Sequence, residues 1–199
     1  ADLDELFAAL SGRGYMVLGP VRRDGVIRVE AIGSSADLPR GVRDEQAGGR
    51  YRLHDDGNED AYFDFVVGPD SPKQWFYPPR QDLFTLHIEG EQFAVDRFPP
   101  QPPKLAFVGL RPCELAAIAV QDRVFGVAAD QHTFRCESET YYRRCREQAF
   151  IVAVNCTEPG GTCFCRSWGT GPAASRGFDL AMTELRTGFV IRSGSTEGE

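Results

Sequence analysis

Residues 104–125 read KLAFVGLRPCELAAIAVQDRVF. Lys104 to Leu110 is a short, unbroken apolar run, the pattern of a strand buried on both faces of a parallel sheet. From Glu114 to Phe125 the apolar residues recur at helical spacing among good helix formers. Arg111-Pro112-Cys113 stands between the two. The stretch therefore predicts strand, tight turn, helix, the unit from which parallel α/β sheets are built. It also places one thiol just past the carboxyl end of a strand and just before a helix, on the edge of an open α/β sheet where sites form.

A second such unit follows. Residues 138–148 predict a helix, and Ala149-Phe-Ile-Val-Ala-Val-Asn155 predicts another buried strand. That strand runs directly into residues 155–171, NCTEPGGTCFCRSWGTG, which carry Cys156, Cys163 and Cys165. If the two strands are parallel neighbours, Cys113 and Cys156 emerge on one edge from strands about 4.8 Å apart. Gly160 and Gly161 let the loop turn tightly, and a C-x-C pair in extended backbone aims both sulfurs at one target. Four converging thiolates are the ligand set of a [4Fe-4S] cluster or of an all-cysteine zinc site. Structural zinc sites mostly use C-x2-C knuckles, which are absent here. The spacing favours iron–sulfur, with zinc as the alternative. Trp168 and Phe164 are expected to shield a cluster from water, and Arg111 or Arg166 to tune its potential.

The remaining cysteines, Cys136 and Cys145, are read as small buried hydrophobes. His54, His87 and His132 lie outside the cysteine loop, so no nucleophilic cysteine with a histidine base is indicated. Gly169-Thr-Gly171 lacks the lysine and spacing of a phosphate loop and reads as a plain turn. Lys73 reads as a solvated side chain.

Upstream the texture is β-rich. Residues 1–10 predict an amphipathic helix on Leu3, Leu6, Phe7 and Leu10. Asp24-Gly25 between two apolar runs predicts a hairpin. Residues 33–60 are polar and read as loop with at most one brief strand. Ala61-Tyr-Phe-Asp-Phe-Val-Val67 reads as a strand by its aromatic and β-branched content. Residues 83–88 and 92–98 predict a second hairpin. The expected class is mixed α/β, with antiparallel hairpins in the first half and parallel βα units presenting cysteines in the second. One cysteine-bearing domain is expected over 1–199. Its only internal boundary is the proline-rich connector at 99–103, between a β-rich 1–98 and a cluster-binding 104–199.

The 199 residues carry a net charge of −7 with no basic run, which argues against a nucleic-acid partner. No apolar run approaches the length of a membrane span. No export signal is seen, so a reducing cytoplasm is expected. The chain starts without methionine and ends in a polar tail, as a piece of a longer protein would.

The pieces Phe107-Val-Gly-Leu-Arg-Pro-Cys-Glu-Leu-Ala-Ala-Ile118, Asp122-Arg-Val-Phe125, Tyr142-Arg-Arg144, Val154-Asn-Cys156, Cys163-Phe-Cys165 and Gly177-Phe-Asp-Leu180 together carry a resemblance. So do Gly19-Pro20, Leu38-Pro39, Tyr51-Arg-Leu53 and residues 73–79. The sequence resembles the beta subunits of sulfhydrogenase-type NiFe hydrogenases and the A subunit of anaerobic sulfite reductase. The resemblance implies a non-catalytic electron-transfer subunit. It would relay electrons between a flavoprotein partner of the FAD/NAD(P)H type and a catalytic hydrogenase or sulfite reductase subunit. Cys113, Cys156, Cys163 and Cys165 match family cysteines, whereas Cys136 and Cys145 do not. The family's downstream ferredoxin-like region, with C-x2-C-x2-C-x3-C-P runs, has no counterpart here.

Overall fold

In chain order the elements are α1 (Leu3–Gly12), β1 (Met16–Arg23), β2 (Val26–Ala31), β3 (Arg43–Ala47), β4 (Arg50–His54), α2 (Lys73–Phe76), β5 (Phe84–Glu89), β6 (Gln92–Arg97), β7 (Leu105–Leu110), α3 (Pro112–Val124), α4 (Glu137–Gln148), β8 (Phe150–Val154), β9 (Leu180–Leu185) and β10 (Gly188–Ser193). They come from a computed structural model that describes residues 2–55, 58–90, 92–97, 102–127 and 137–199. Cys136, His132 and most of the proline connector at 99–103 lie outside the described residues.

One six-stranded sheet, ordered β10-β9-β8-β7-β1-β2, organises the protein. Its four central strands run parallel, and each edge ends in an antiparallel hairpin partner. The mixed α/β class is thus as expected, and β7 and β8 are parallel neighbours. Two-residue periodicity sorts the strand side chains into two layers. Ala106 and Val108 of β7, with Val152 and Val154 of β8, pack with Leu3, Phe7 and Leu10 of α1. Leu105 and Phe107, with Ile151 and Ala153, pack on the other face with Leu115 and Ile118 of α3 and Tyr142 of α4. Among the described residues no helix is long and apolar enough to cross a membrane.

The alternation breaks at one place. The β7–β8 register shifts between Val108 and Leu110, and Gly109 sits there at φ +95°. Such a bulge re-aims the residues that follow it. Leu110 accordingly joins the α3 face, although uninterrupted alternation would put it beside Val108. Arg111 is then directed to the opposite side, toward Phe63 and Phe65.

The helical face is locked by aromatic rings and a half-buried ion pair. Phe76 of α2 is fully buried, with its ring 4.8 Å from Phe107 and 6.1 Å from Tyr142. Asp122 of α3 accepts the Tyr142 hydroxyl at 2.5 Å and both Nε (2.8 Å) and Nη2 (3.0 Å) of Arg146 on α4. The Arg146 guanidinium also lies 5.1 Å over the Phe76 ring. Burial and the hydrogen bond to Asp122 push the Tyr142 phenol well above its ordinary range, so it stays a donor.

Two local expectations are corrected. Residues 33–60 contain a complete hairpin, β3–β4, rather than at most one brief strand. Its strands, RDEQA and RYRLH, are too polar to show buried alternation. Residues 61–67 form no strand, although Phe63, Phe65 and Val66 are buried. Side chains take the place of a neighbouring strand. The Glu184 carboxylate accepts from the Tyr62 and Phe63 N–H groups, and Asp44 from that of Val66. The carbonyls of Phe63 and Phe65 accept from Arg111, and that of Val67 from Gln46.

Two outcomes follow for stability. A β-carbon at residue 109 would stand 2.9 Å from Phe63 Cε1 and 3.0 Å from Pro20 Cδ, at a positive φ. Gly109→Ala is expected to cost about 2 kcal/mol or more in chemical denaturation. Asp122→Ala leaves the half-buried Arg146 charge unpaired and should cost about 3 kcal/mol, against about 1 kcal/mol for Tyr142→Phe.

Candidate functional site

The carboxyl ends of β7 and β8 open onto a cavity of about 680 Å³. Cys113, Cys156, Cys163 and Cys165 all line it. Each arrives by a different local device. Cys113 is the second residue of α3, after the N-cap Arg111 and Pro112. It lies inside the first helical turn rather than ahead of the helix, because Pro112 is pre-set for the first helical position. Glu114 closes the cap by accepting the Arg111 N–H at 2.8 Å.

Cys156 follows β8 after Asn155, and its N–H donates to the Pro172 carbonyl at 3.1 Å. Asn155 ties the strand end to its surroundings. Its Oδ1 accepts from Ala174 N at 2.8 Å and its Nδ2 donates to Thr183 Oγ1 at 2.8 Å. Cys165 starts a compact turn in which its carbonyl accepts from Trp168 N (3.2 Å) and Thr170 N (2.9 Å), with Gly169 at φ +65°. Gly171 packs on that thiol, since a β-carbon there would be 3.0 Å from Cys165 Sγ. The glycines of Gly169-Thr-Gly171 thus serve a turn and a close approach. Cys163, the exposed member, donates its N–H to the Gly160 carbonyl at 3.0 Å.

The cavity's other walls were not legible in the sequence. One is the α3 surface of Ala116, Ala117 and Val120, and another is Val66 and Val67. Gln46 of β3 also reaches it, accepting from Thr162 Oγ1 at 2.7 Å. The paired glycines at 160 and 161 were the available signal of a close approach, but they did not say to what. Phe164 and Trp168 line the cavity as expected, yet they are 66% and 74% exposed, so they form its outer rim. Arg166 is on the lining and exposed.

Arg111 does not line the cavity; it backs Cys156. It is 3% exposed, and its Nη atoms donate to the carbonyls of Phe63 (2.7 Å), Phe65 and Asn155 (3.4 Å). Its Nε is a buried donor without an oxygen or nitrogen acceptor. Burial pushes the Cys156 thiol up, and the Arg111 guanidinium opposes that shift. Burial raises Cys113 further, to about 12, helped by the Glu114 carboxylate and the other three cysteines.

Among the described residues no three side chains of His, Cys, Asp and Glu gather at a single-ion position. A tetrahedral zinc with bonds of about 2.3 Å draws its sulfurs to within about 4 Å of one another. Four cysteine thiols around one cavity are also the donor set of a group with several iron atoms. The donor set and the cavity that it lines fit such a group.

Cys145 is fully buried in the α4 core, away from the cavity, as expected. His54 and His87 pair with Glu45 and Asp96 on the outlying hairpins. Lys73 is exposed.

No protein-family model matches the chain, and no solved structure matches it. It is similar to Sulfhydrogenase 2 subunit beta of Pyrococcus furiosus, with 29% identity over 182 residues. The match covers 92% of this chain and 43% of that protein, so the chain spans less than half the length of its relative. The resemblance to sulfhydrogenase beta subunits is borne out to this extent: over nearly its whole length the chain is similar to one such subunit.

Proposed function

We propose that this chain is an electron-transfer module. Cys113, Cys156, Cys163 and Cys165 hold one [4Fe-4S] cluster. The module passes electrons between a flavoprotein partner and a catalytic hydrogenase or sulfite reductase subunit, in the cytoplasm. The observation that carries this reading is that four thiols from two segments, the start of α3 and the loop after β8, line one cavity at the carboxyl ends of two adjacent parallel strands. The similarity to a sulfhydrogenase subunit supports it independently. A bound cluster would supply a one-electron couple. The chain's own residues would set its surroundings, with a buried guanidinium behind Cys156 and an open aromatic rim in front.

The test is anaerobic purification or reconstitution, followed by metal, sulfide and spectroscopic measurement. About four iron and four labile sulfide per chain are expected, with an EPR signal on reduction. One zinc per chain with no visible absorption would replace this reading with a zinc-stabilised docking module. Cys113→Ser and Cys163→Ser should lose most of the iron, whereas Cys145→Ser should keep it.

Charge gives a second outcome. Reduction adds a negative charge close to Arg111, so removing the guanidinium penalises the reduced form. Arg111→Gln should lower the midpoint potential by about 60 mV, equivalent to about 1.4 kcal/mol for one electron. Arg166→Gln, at an exposed position, should move it less in the same redox titration.

A further inference from the structure

We propose that Gln46 is a positioning residue for the Cys163 side of the cysteine loop, so that the β3–β4 hairpin latches that thiol in place. The inference rests on the reading of the cysteines as ligands. The loop between Cys156 and Cys163 has no regular structure. Its ends are fixed locally, by the Cys156–Pro172 bond and by the turn after Cys165. Its middle leans on β3. A β-carbon at Gly161 would lie 2.2 Å from the Gln46 carbonyl oxygen, and Thr162 Oγ1 donates to Gln46 Oε1 at 2.7 Å.

The Gln46 amide has one orientation available. Its Nε2 donates to Val67 O at 2.9 Å and to Asp44 Oδ2 at 2.7 Å, both of which can only accept. Oε1 is thereby turned to the loop and free for the Thr162 hydroxyl. The other Asp44 oxygen is already engaged by Val66 N at 2.8 Å. One side chain thus joins a cavity wall at Val66-Val67 to the residue directly before Cys163. Both polar ends of Gln46 are used, and the contacts span 116 positions in sequence between Gln46 and Thr162.

Thr162→Val removes the hydroxyl donor at nearly constant shape, Thr162→Ser retains it, and Gln46→Ala removes all three bonds. Glu45→Gln is the control, since Glu45 pairs with Arg50 and His54 on the opposite face of the same strand. Three readouts are taken on the full chain. They are the rate of iron release to a chelator, the midpoint potential, and amide hydrogen exchange over residues 157–170 in the metal-free form.

Gln46→Ala and Thr162→Val should speed iron release and loop exchange about fivefold, the effect of one ordinary hydrogen bond, and shift the potential. Thr162→Ser and Glu45→Gln should match the wild type, and exchange in β7 and β8 should not change. Wild-type iron release and exchange in Gln46→Ala and Thr162→Val would overturn the proposal, as would a Thr162→Ser chain behaving like Thr162→Val. If the wild type takes up no cluster, the electron-transfer reading and the ligand-positioning role fail together. Exchange in the metal-free chain then separately reports whether the latch exists.

Discussion

A guanidinium buried at the end of a strand governs how this protein is assembled. Taking a charge out of water costs several kcal/mol unless hydrogen bonds and opposite charges replace the solvent. Arg111 finds its acceptors in the carbonyls of Phe63, Phe65 and Asn155. Its field lowers the carboxyls of Glu114 and Glu184, although burial outweighs it and holds both above their ordinary range, Glu114 at about 7. These groups lie far apart in sequence. The cost is therefore offset only when residues 61–67, the end of β8, the start of α3 and β9 are all in place. The bulge at Gly109 comes first in this chain of dependence, because it turns residue 111 to that side of the sheet. The same arrangement puts the guanidinium beside Cys156, where it opposes the rise that burial imposes on that thiol.

What the sequence revealed, and what it hid, follows from where the partners lie. The strand–turn–helix at 104–125, the strand leading into Cys156 and the Asp24-Gly25 hairpin are local patterns, and each is found as read. Asp24 and Gly25 take φ values of 51° and 76°, as a type I′ turn requires. Residues 61–67 carry a convincing strand composition, but their backbone partners are the side chains of Asp44, Gln46, Arg111 and Glu184. No local pattern reports such partners. Sheet topology implied that Cys113 and Cys156 share one edge, and the loop glycines and C-x-C spacing allowed Cys163 and Cys165 to fold back to it. Gln46 was not legible, because its place depends on a polar hairpin whose packing leaves no hydrophobic signature.

The residues that carry the resemblance have three physical uses. Cys113, Cys156, Cys163 and Cys165 line the cavity. Phe107, Asp122, Phe125 and Tyr142 instead build the ring-and-ion-pair cluster that clamps α2, α3 and α4 to the sheet. Asp179, within Gly177-Phe-Asp-Leu180, has a third use. It bonds Ile151 N at 2.7 Å and Ser195 Oγ at 2.5 Å, closing the strand edge beyond β8. A shared motif is therefore not by itself a map of a site. Here the same short stretches fix the helices and the sheet edge as well as the thiols.

The two sides of the cavity differ in charge and in exposure to solvent. Behind Cys156 lies a fixed positive charge among carbonyls, in a region closed to solvent. In front, Cys163 is exposed and the rim of Phe164, Trp168 and Val120 is largely in water. A fixed cation on the buried side stabilises added negative charge without needing solvent to reorganise around it. Loop residues on that open side have little core to hold them, so their position must come from a few specific bonds. The latch proposed for Gln46, on a hairpin distant in sequence, is a bond of this kind.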